Sequence, residues 1–144
     1  MSLSTQKSLA VASLLEQVAR DIYPERGPRA VHPVQWSSLR YFGRAGSQAR
    51  TVSGLGKYLG VTLGPASRAA AALVRRGFIT PKPNPDDRRS SLFDLTDEGR
   101  EQLTHDPLFR LAYAISSVGD EEEATLSRML LKISENMNGA VHAK

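Results

Sequence analysis

The chain has 144 residues, 40% of them hydrophobic, which fits one domain with or without an oligomerisation arm and a core of modest size. No apolar run is long enough to span a membrane, and the polar opening Met1–Lys7 is not followed by a signal-peptide core, so the sequence predicts a soluble cytoplasmic protein. The lack of cysteine excludes disulfides, thiolate metal sites and thiol redox sensing. The net charge of +4 hides an uneven distribution: between Arg40 and Arg89 stand ten basic residues and two acids, while the rest of the chain holds nine basic residues and thirteen acids. A basic block between acidic flanks is the footprint of a polyanion-binding surface, and also the pattern of an ordinary solvated face; the motifs inside the block must separate the two.

In chain order, Val11, Leu14, Leu15, Val18 and Ile22 form one apolar stripe on a first helix, ended by Pro24 and Gly27-Pro28. Pro33 suits the first turn of a second helix, which carries Trp36, Leu39, Tyr41 and Phe42 and stops near Gly46. Thr51 is placed to cap a third helix bearing Leu55 and Leu59. A fourth starts near Thr62, tolerates Pro65 in its first turn, and runs to Arg76 and a Gly77 stop.

Phe78–Thr80 then switches to a strand pattern, followed by Pro81, Pro83 and Pro85 at period two. Alternate residues of a strand point their N–H groups to one side, so prolines at this spacing remove donors from one side only, as suits an outer edge. With the polar turn Asn84–Arg89 and a return strand Ser91–Leu95, placing Phe93 and Leu95 on one face, this reads as a β-hairpin with a charged tip. Thr96 caps the next helix, which Pro107 breaks or bends. Leu108, Leu111, Ala112 and Ile115 continue the helical stripe. Asp120–Glu123 open a last helix whose stripe is Leu126, Met129, Leu130, Ile133, Met137 and Ala140, with acids at its positive end.

The stretch Leu55–Ala69 has the parts of a helix-turn-helix. Gly60 supplies the turn residue that tolerates φ > 0, and Leu55, Leu59 and Val61 seal the inner face. Gly56, Ala66 and Ala69 are small where the two helices touch. Helical spacing turns Thr62, Gly64, Ser67 and Arg68 outward, where a recognition helix meets base edges and phosphates. Arg88 and Arg89 follow on the hairpin tip, where an arginine on a stiff finger enters a narrow minor groove, and Asp87 is spaced to hold the Arg89 side chain. Arg75 and Arg76 either touch phosphates or complement the end of the fourth helix. A glycine turn or a charged turn alone is common; the order helix-turn-helix then basic finger points to double-stranded DNA.

Four segments, Leu55-Gly56-Lys57-Tyr58-Leu59-Gly60-Val61, Leu73-Val74-Arg75-Arg76-Gly77-Phe78-Ile79, Asp87-Arg88-Arg89 and Leu95-Thr96-Asp97-Glu98-Gly99, together resemble the multiple-antibiotic-resistance regulator (MarR) family, with Gln35 and Leu39 also matching. The resemblance implies a mostly α fold with a small β-hairpin: a winged helix-turn-helix over residues 33–100, flanked by dimerisation helices at 1–32 and 101–144. It further implies a homodimer that represses nearby genes and releases DNA on binding small aromatic or phenolic ligands. Carried over residue by residue, it puts Ser67 and Arg68 on the recognition helix, Arg88 at the wing tip, and Asp87 with Arg89 as a supporting pair. Gly56 in place of the commoner alanine, the alanine-rich recognition helix and the proline-laden wing depart from the family pattern.

A two-fold dimer also follows from the apolar stripes of the first and last helices, which exceed what a small winged helix covers. Its two recognition helices would lie about 34 Å apart and read a pseudo-palindrome. Tyr23, His32, Trp36 and Arg40 are candidates for a pocket taking an aromatic or anionic effector, with His32 otherwise a helix cap. No His/Asp/Glu spacing suggests a metal, His105 and His142 stand alone, and no cofactor is expected. No nucleophile has a partnered histidine, and the acid runs are explained by helix starts, so an enzyme is not expected. The competing reading is a winged-helix adaptor that binds a protein partner instead of DNA.

Overall fold

A computed structural model describes residues 2–141; His142 lies outside them. Among the described residues seven α-helices and one hairpin run in the order α1 (Leu3–Ile22), α2 (Pro33–Arg44), a 3-10 turn (Ser47–Ala49), α3 (Val52–Leu59), α4 (Leu63–Arg75), β1 (Ile79–Pro83), β2 (Ser91–Leu95), α5 (Asp97–Thr104), α6 (Leu108–Ser116) and α7 (Asp120–Val141). The fold is therefore mostly helical with a two-stranded antiparallel sheet, as the periodicities predict. Pro107 breaks the helix rather than bending it: α5 ends before His105, and α6 starts after the proline.

The elements start and stop where short-range chemistry dictates. The Thr51 side chain accepts the Gly54 N–H at 3.0 Å, and the Thr96 side chain accepts that of Gly99 at 3.0 Å, each satisfying a donor of a first helical turn. The core is built from one face each of α2, α3 and α4: Leu39, Phe42, Leu55 and Leu73 are wholly buried. The hairpin closes this core with Ile79 and Phe93, the latter stacking against Phe42 at 5.3 Å between ring centroids. Leu95 packs on it partly buried. Leu92, on the opposite face of β2, is also buried, which alternation does not foretell.

β1 pairs with β2 in the register Ile79↔Leu95, Pro81↔Phe93 and Pro83↔Ser91. The Phe93 N–H turns away from β1 and donates to the Arg50 carbonyl at 2.9 Å. Pro81 therefore sits opposite Phe93 in a pair without mutual hydrogen bonds, and its missing donor faces outward. Pro83, two residues on, has the same orientation. The prolines blunt the outer edge of β1, as their spacing predicts.

The chain divides into two compact units, one ending at Asp106 and the other starting at Pro107. The sequence reading places that boundary after residue 100; the later division reflects α5, whose Leu103 packs against the core of the first unit. Among the described residues no helix is long and apolar enough to cross a membrane.

Candidate nucleic-acid interface

The turn between α3 and α4 is set by Gly60, at φ 68° and ψ 34°, a left-handed conformation that costs other residues more than glycine. It lets the Val61 N–H reach back to the Gly56 carbonyl at 3.0 Å and close the end of α3. A Cβ on Gly56 would stand 3.1 Å from the Val61 carbonyl oxygen and 3.5 Å from the Ala66 side chain, so a small residue is needed at this crossing. Ala66, Ala69, Ala70 and Leu73 take the buried face of α4. The opposite face carries Thr62, Gly64, Ser67, Arg68 and Arg75, all exposed. The Thr62 side chain makes no capping hydrogen bond. Arg68 lies back along the helix, with one guanidinium nitrogen 3.5 Å from where a Cβ on Gly64 would be.

The hairpin tip is braced by side chains acting on backbone. Asn84 Oδ1 accepts the Asp86 N–H at 3.0 Å, and Asn84 Nδ2 donates to Ser90 Oγ at 3.1 Å. Asp87 Oδ1 accepts the backbone N–H of Arg89 at 2.9 Å. This corrects the expectation that Asp87 holds the Arg89 guanidinium: the carboxylate shapes the turn from two residues away, the favoured geometry of aspartate in turns. Asn84, which does comparable bracing, was not singled out in the sequence, although asparagine at the start of a polar turn is a signal for it.

These parts share one surface. An open groove of about 620 Å³ is lined by Leu63 and Ser67 of α4, by Thr51 and Ser53 at the start of α3, and by Asp87 and Arg89 of the hairpin. Arg88 faces another cleft of about 520 Å³, beside Pro81 and Pro83. A helix pair with a glycine turn and an arginine-tipped hairpin thus open onto a common groove, the geometry of a winged helix-turn-helix.

The MarR family model matches residues 31–90, which contain α2, the helix pair and the hairpin as far as its second strand. A mutant MarR from E. coli, solved with operator DNA, is 25% identical, with TM-score 0.68 over 92% of this chain and 99% of that one. Over residues 31–90 the chain is similar to the MarR family. FabT from Streptococcus pneumoniae, solved with DNA, shares the fold at TM-score 0.76 and 22% identity, covering 95% of this chain and 99% of that one. PcaV from Streptomyces coelicolor, solved with its natural ligand, does so at TM-score 0.68 and 20% identity, covering 94% and 96%. No curated protein sequence matches the chain. The family is one of winged-helix, DNA-binding transcription regulators.

Within this lobe the ten basic residues of the block separate into two groups. Arg50 and Lys82 both bind Asp94, at 3.0 and 2.7 Å. The hydrogen bond from Lys82 holds the Asp94 carboxyl below its ordinary pKa; burial opposes it, and the charge of Lys82 with the hydrogen bond and charge of Arg50 add to the lowering. Arg76 donates to the carbonyls of Ala30 and Arg29 at 3.0 and 2.5 Å and lies over the Phe78 ring, so it ties α4 to the segment before α2. Arg40 is buried against Asp106. Arg44, Lys57, Arg68, Arg75, Arg88 and Arg89 remain exposed.

Arg40 brings three of the four candidate effector residues together: its guanidinium lies 5.9 Å from the ring centroids of both Tyr23 and Trp36. Tyr23 and His32 line a cleft of about 570 Å³ with Arg20, Arg26 and Val31. The backbone N–H of His32 donates to Gln35 Oε1 at 3.2 Å, at the start of α2. Trp36 is instead part of the core, and Arg40 is engaged below that cleft by Asp106 and by the Tyr23 hydroxyl at 3.2 Å. Burial pushes the Arg40 pKa down, but the hydrogen bonds to Asp106 and Tyr23 outweigh it and hold the guanidinium above its ordinary value. Trp36 and Arg40 are both buried. Among the described residues no cluster of His, Cys, Asp or Glu is arranged to hold a metal ion.

Proposed function

We propose that the chain is a transcription repressor, acting in the cytoplasm as a homodimer on a pseudo-palindromic operator and released by a small aromatic or anionic effector, with no catalytic activity of its own. The observation that carries the DNA reading is the groove shared by Ser67 on α4 and Arg89 on the hairpin, with Arg68 exposed beside it. α4 would lie in the major groove, with Thr62, Gly64, Ser67 and Arg68 toward base edges and Arg75 toward a phosphate. Arg88 and Arg89 would reach the adjacent minor groove or its phosphates, with Asp87 fixing the turn that carries them.

The dimer is supported by apolar side chains without cover. Leu14 is 62% exposed on α1, and Met137 is 67% exposed on α7, each within a stripe of further exposed apolar residues. A second copy of the chain would bury such stripes. The effector reading rests on the cleft beside Tyr23 and His32, where Arg20 is paired with Glu16 at 3.3 Å.

The test is fluorescence anisotropy against duplexes from the region around the protein's own gene, with light scattering to give mass. Tight binding to one duplex, falling steeply with salt, by a species of twice the chain mass is the expected result. Equal affinity for every duplex favours the adaptor reading, and a monomer at micromolar concentration overturns the dimer.

A further inference from the structure

We infer that Leu63 reads sequence: its side chain packs against the C5 methyl of a thymine in the major groove, next to the base pair that Arg68 contacts. This rests on the DNA reading above and adds to it a residue and a base.

Leu63 is the first residue of α4 and is 63% exposed. Single exposed leucines are ordinary, and exposure alone decides nothing. Its surroundings do. Leu63 lies in the groove between recognition helix and wing, whose other walls include Thr51, Val52, Ser67, Asp87 and Arg89. It is an exposed apolar side chain in a mostly polar groove, at the end of the helix that enters a duplex first.

The occupant is fixed by charge. Arg89 lines this groove, Arg68 follows its lining residue Ser67 and Arg88 faces another cleft; all three are exposed, among the described residues none of them in an ion pair, and they call for a polyanion. The apolar group that B-form DNA presents in its major groove is the thymine methyl. Arg68 lies back over Gly64, the neighbour of Leu63, so the guanidinium and the leucine side chain both serve the first turn of α4. Guanine O6 and N7 suit the one, and a thymine methyl within the same few base pairs suits the other.

The test uses the full chain and the duplex it enriches from a randomised pool. Each thymine is replaced in turn by deoxyuridine, which removes only the methyl, and affinity is read by anisotropy at fixed salt. For the unaltered chain, deoxyuridine at one position in each half-site should weaken binding about fourfold, the factor expected of one buried methyl. Leu63→Ala should bind the thymine duplex more weakly by at least that factor and no longer distinguish thymine from deoxyuridine there, while Leu63→Met restores the distinction. The exposed site makes the thermal midpoint of Leu63→Ala the same as that of the unaltered chain. No deoxyuridine effect at any position, or the same effect in Leu63→Ala, overturns the inference with the DNA reading intact. Failure to enrich any duplex overturns the DNA reading itself, and this inference with it.

Discussion

Arg40 and Asp106, 66 residues apart in sequence, face each other through two hydrogen bonds of 2.6 Å, Nε to Oδ2 and Nη2 to Oδ1, with both side chains more than nine-tenths buried. This bidentate pair fastens the last residue of the first compact unit to α2, in the middle of the core. Removing one partner leaves the other charge buried and uncompensated. Arg40→Ala should therefore lower unfolding free energy by about 3–5 kcal/mol in urea titrations at fixed protein concentration. Arg40→Met combined with Asp106→Leu should recover most of that loss, since apolar replacement of both partners removes the desolvation cost as well. A double variant as unstable as Arg40→Ala would contradict this account.

The turn of the helix pair depends on one backbone angle. Gly60 has φ 68°, and a Cβ placed there would meet nothing within 4 Å, so the cost of a substitution is conformational and not steric. Gly60→Ala should destabilise by about 1–2 kcal/mol, and Gly60→Asn by less, because asparagine tolerates this region better. Chemical denaturation of the three proteins gives the order directly.

Two arginines on α4 and at its end should part company. Arg68→Ala is expected to weaken operator binding by about 1–3 kcal/mol and to relax specificity at one base pair. Arg88→Ala should weaken all duplexes alike and lower the salt dependence by about one phosphate contact. Arg76→Ala, by contrast, should cost about 1–2 kcal/mol of stability through its lost carbonyl contacts and leave the salt dependence unchanged. Anisotropy over a salt series, with thermal melts, separates the three outcomes.

Asp94 joins Arg50 of the segment before α3 to Lys82 of β1. Its pKa is lowered in the folded chain, so the folded state favours the ionised form. The resulting stability is present above the ordinary carboxylate pKa of about 4 and is lost as pH falls through the lowered folded value. The partners are partly exposed, so Asp94→Asn should cost no more than about 1 kcal/mol at pH 7. That difference should shrink below about pH 4, and unfolding curves of both proteins at pH 7 and pH 3 test it.

Much of the candidate site was legible in the chain itself. Thr51, Thr96, Gly60 and Gly77 mark ends and turns because capping and left-handed φ depend on atoms only a few residues away. The prolines at 81 and 83 declare an outer edge because the direction of N–H groups alternates along any strand. The outward set on α4 follows from helical period and the alanines that must face the core. Less legible was the use of each cation: Arg50, Arg76 and Lys82 look like Arg68 in a string of letters but are held by Asp94 or by backbone carbonyls. Asp87 was placed on the right partner residue and the wrong atom.

The sequence by itself therefore determined the helices, the hairpin, the glycine bend and the order that makes a winged helix, since these rest on contacts within one or two turns of chain. Only the tertiary structure decided which charges remain free for a polyanion and which are used inside. That depends on side chains far apart in sequence, Arg40 with Asp106 and Arg50 with Asp94, meeting once the helices and hairpin have packed, and nothing in local periodicity carries such a distance.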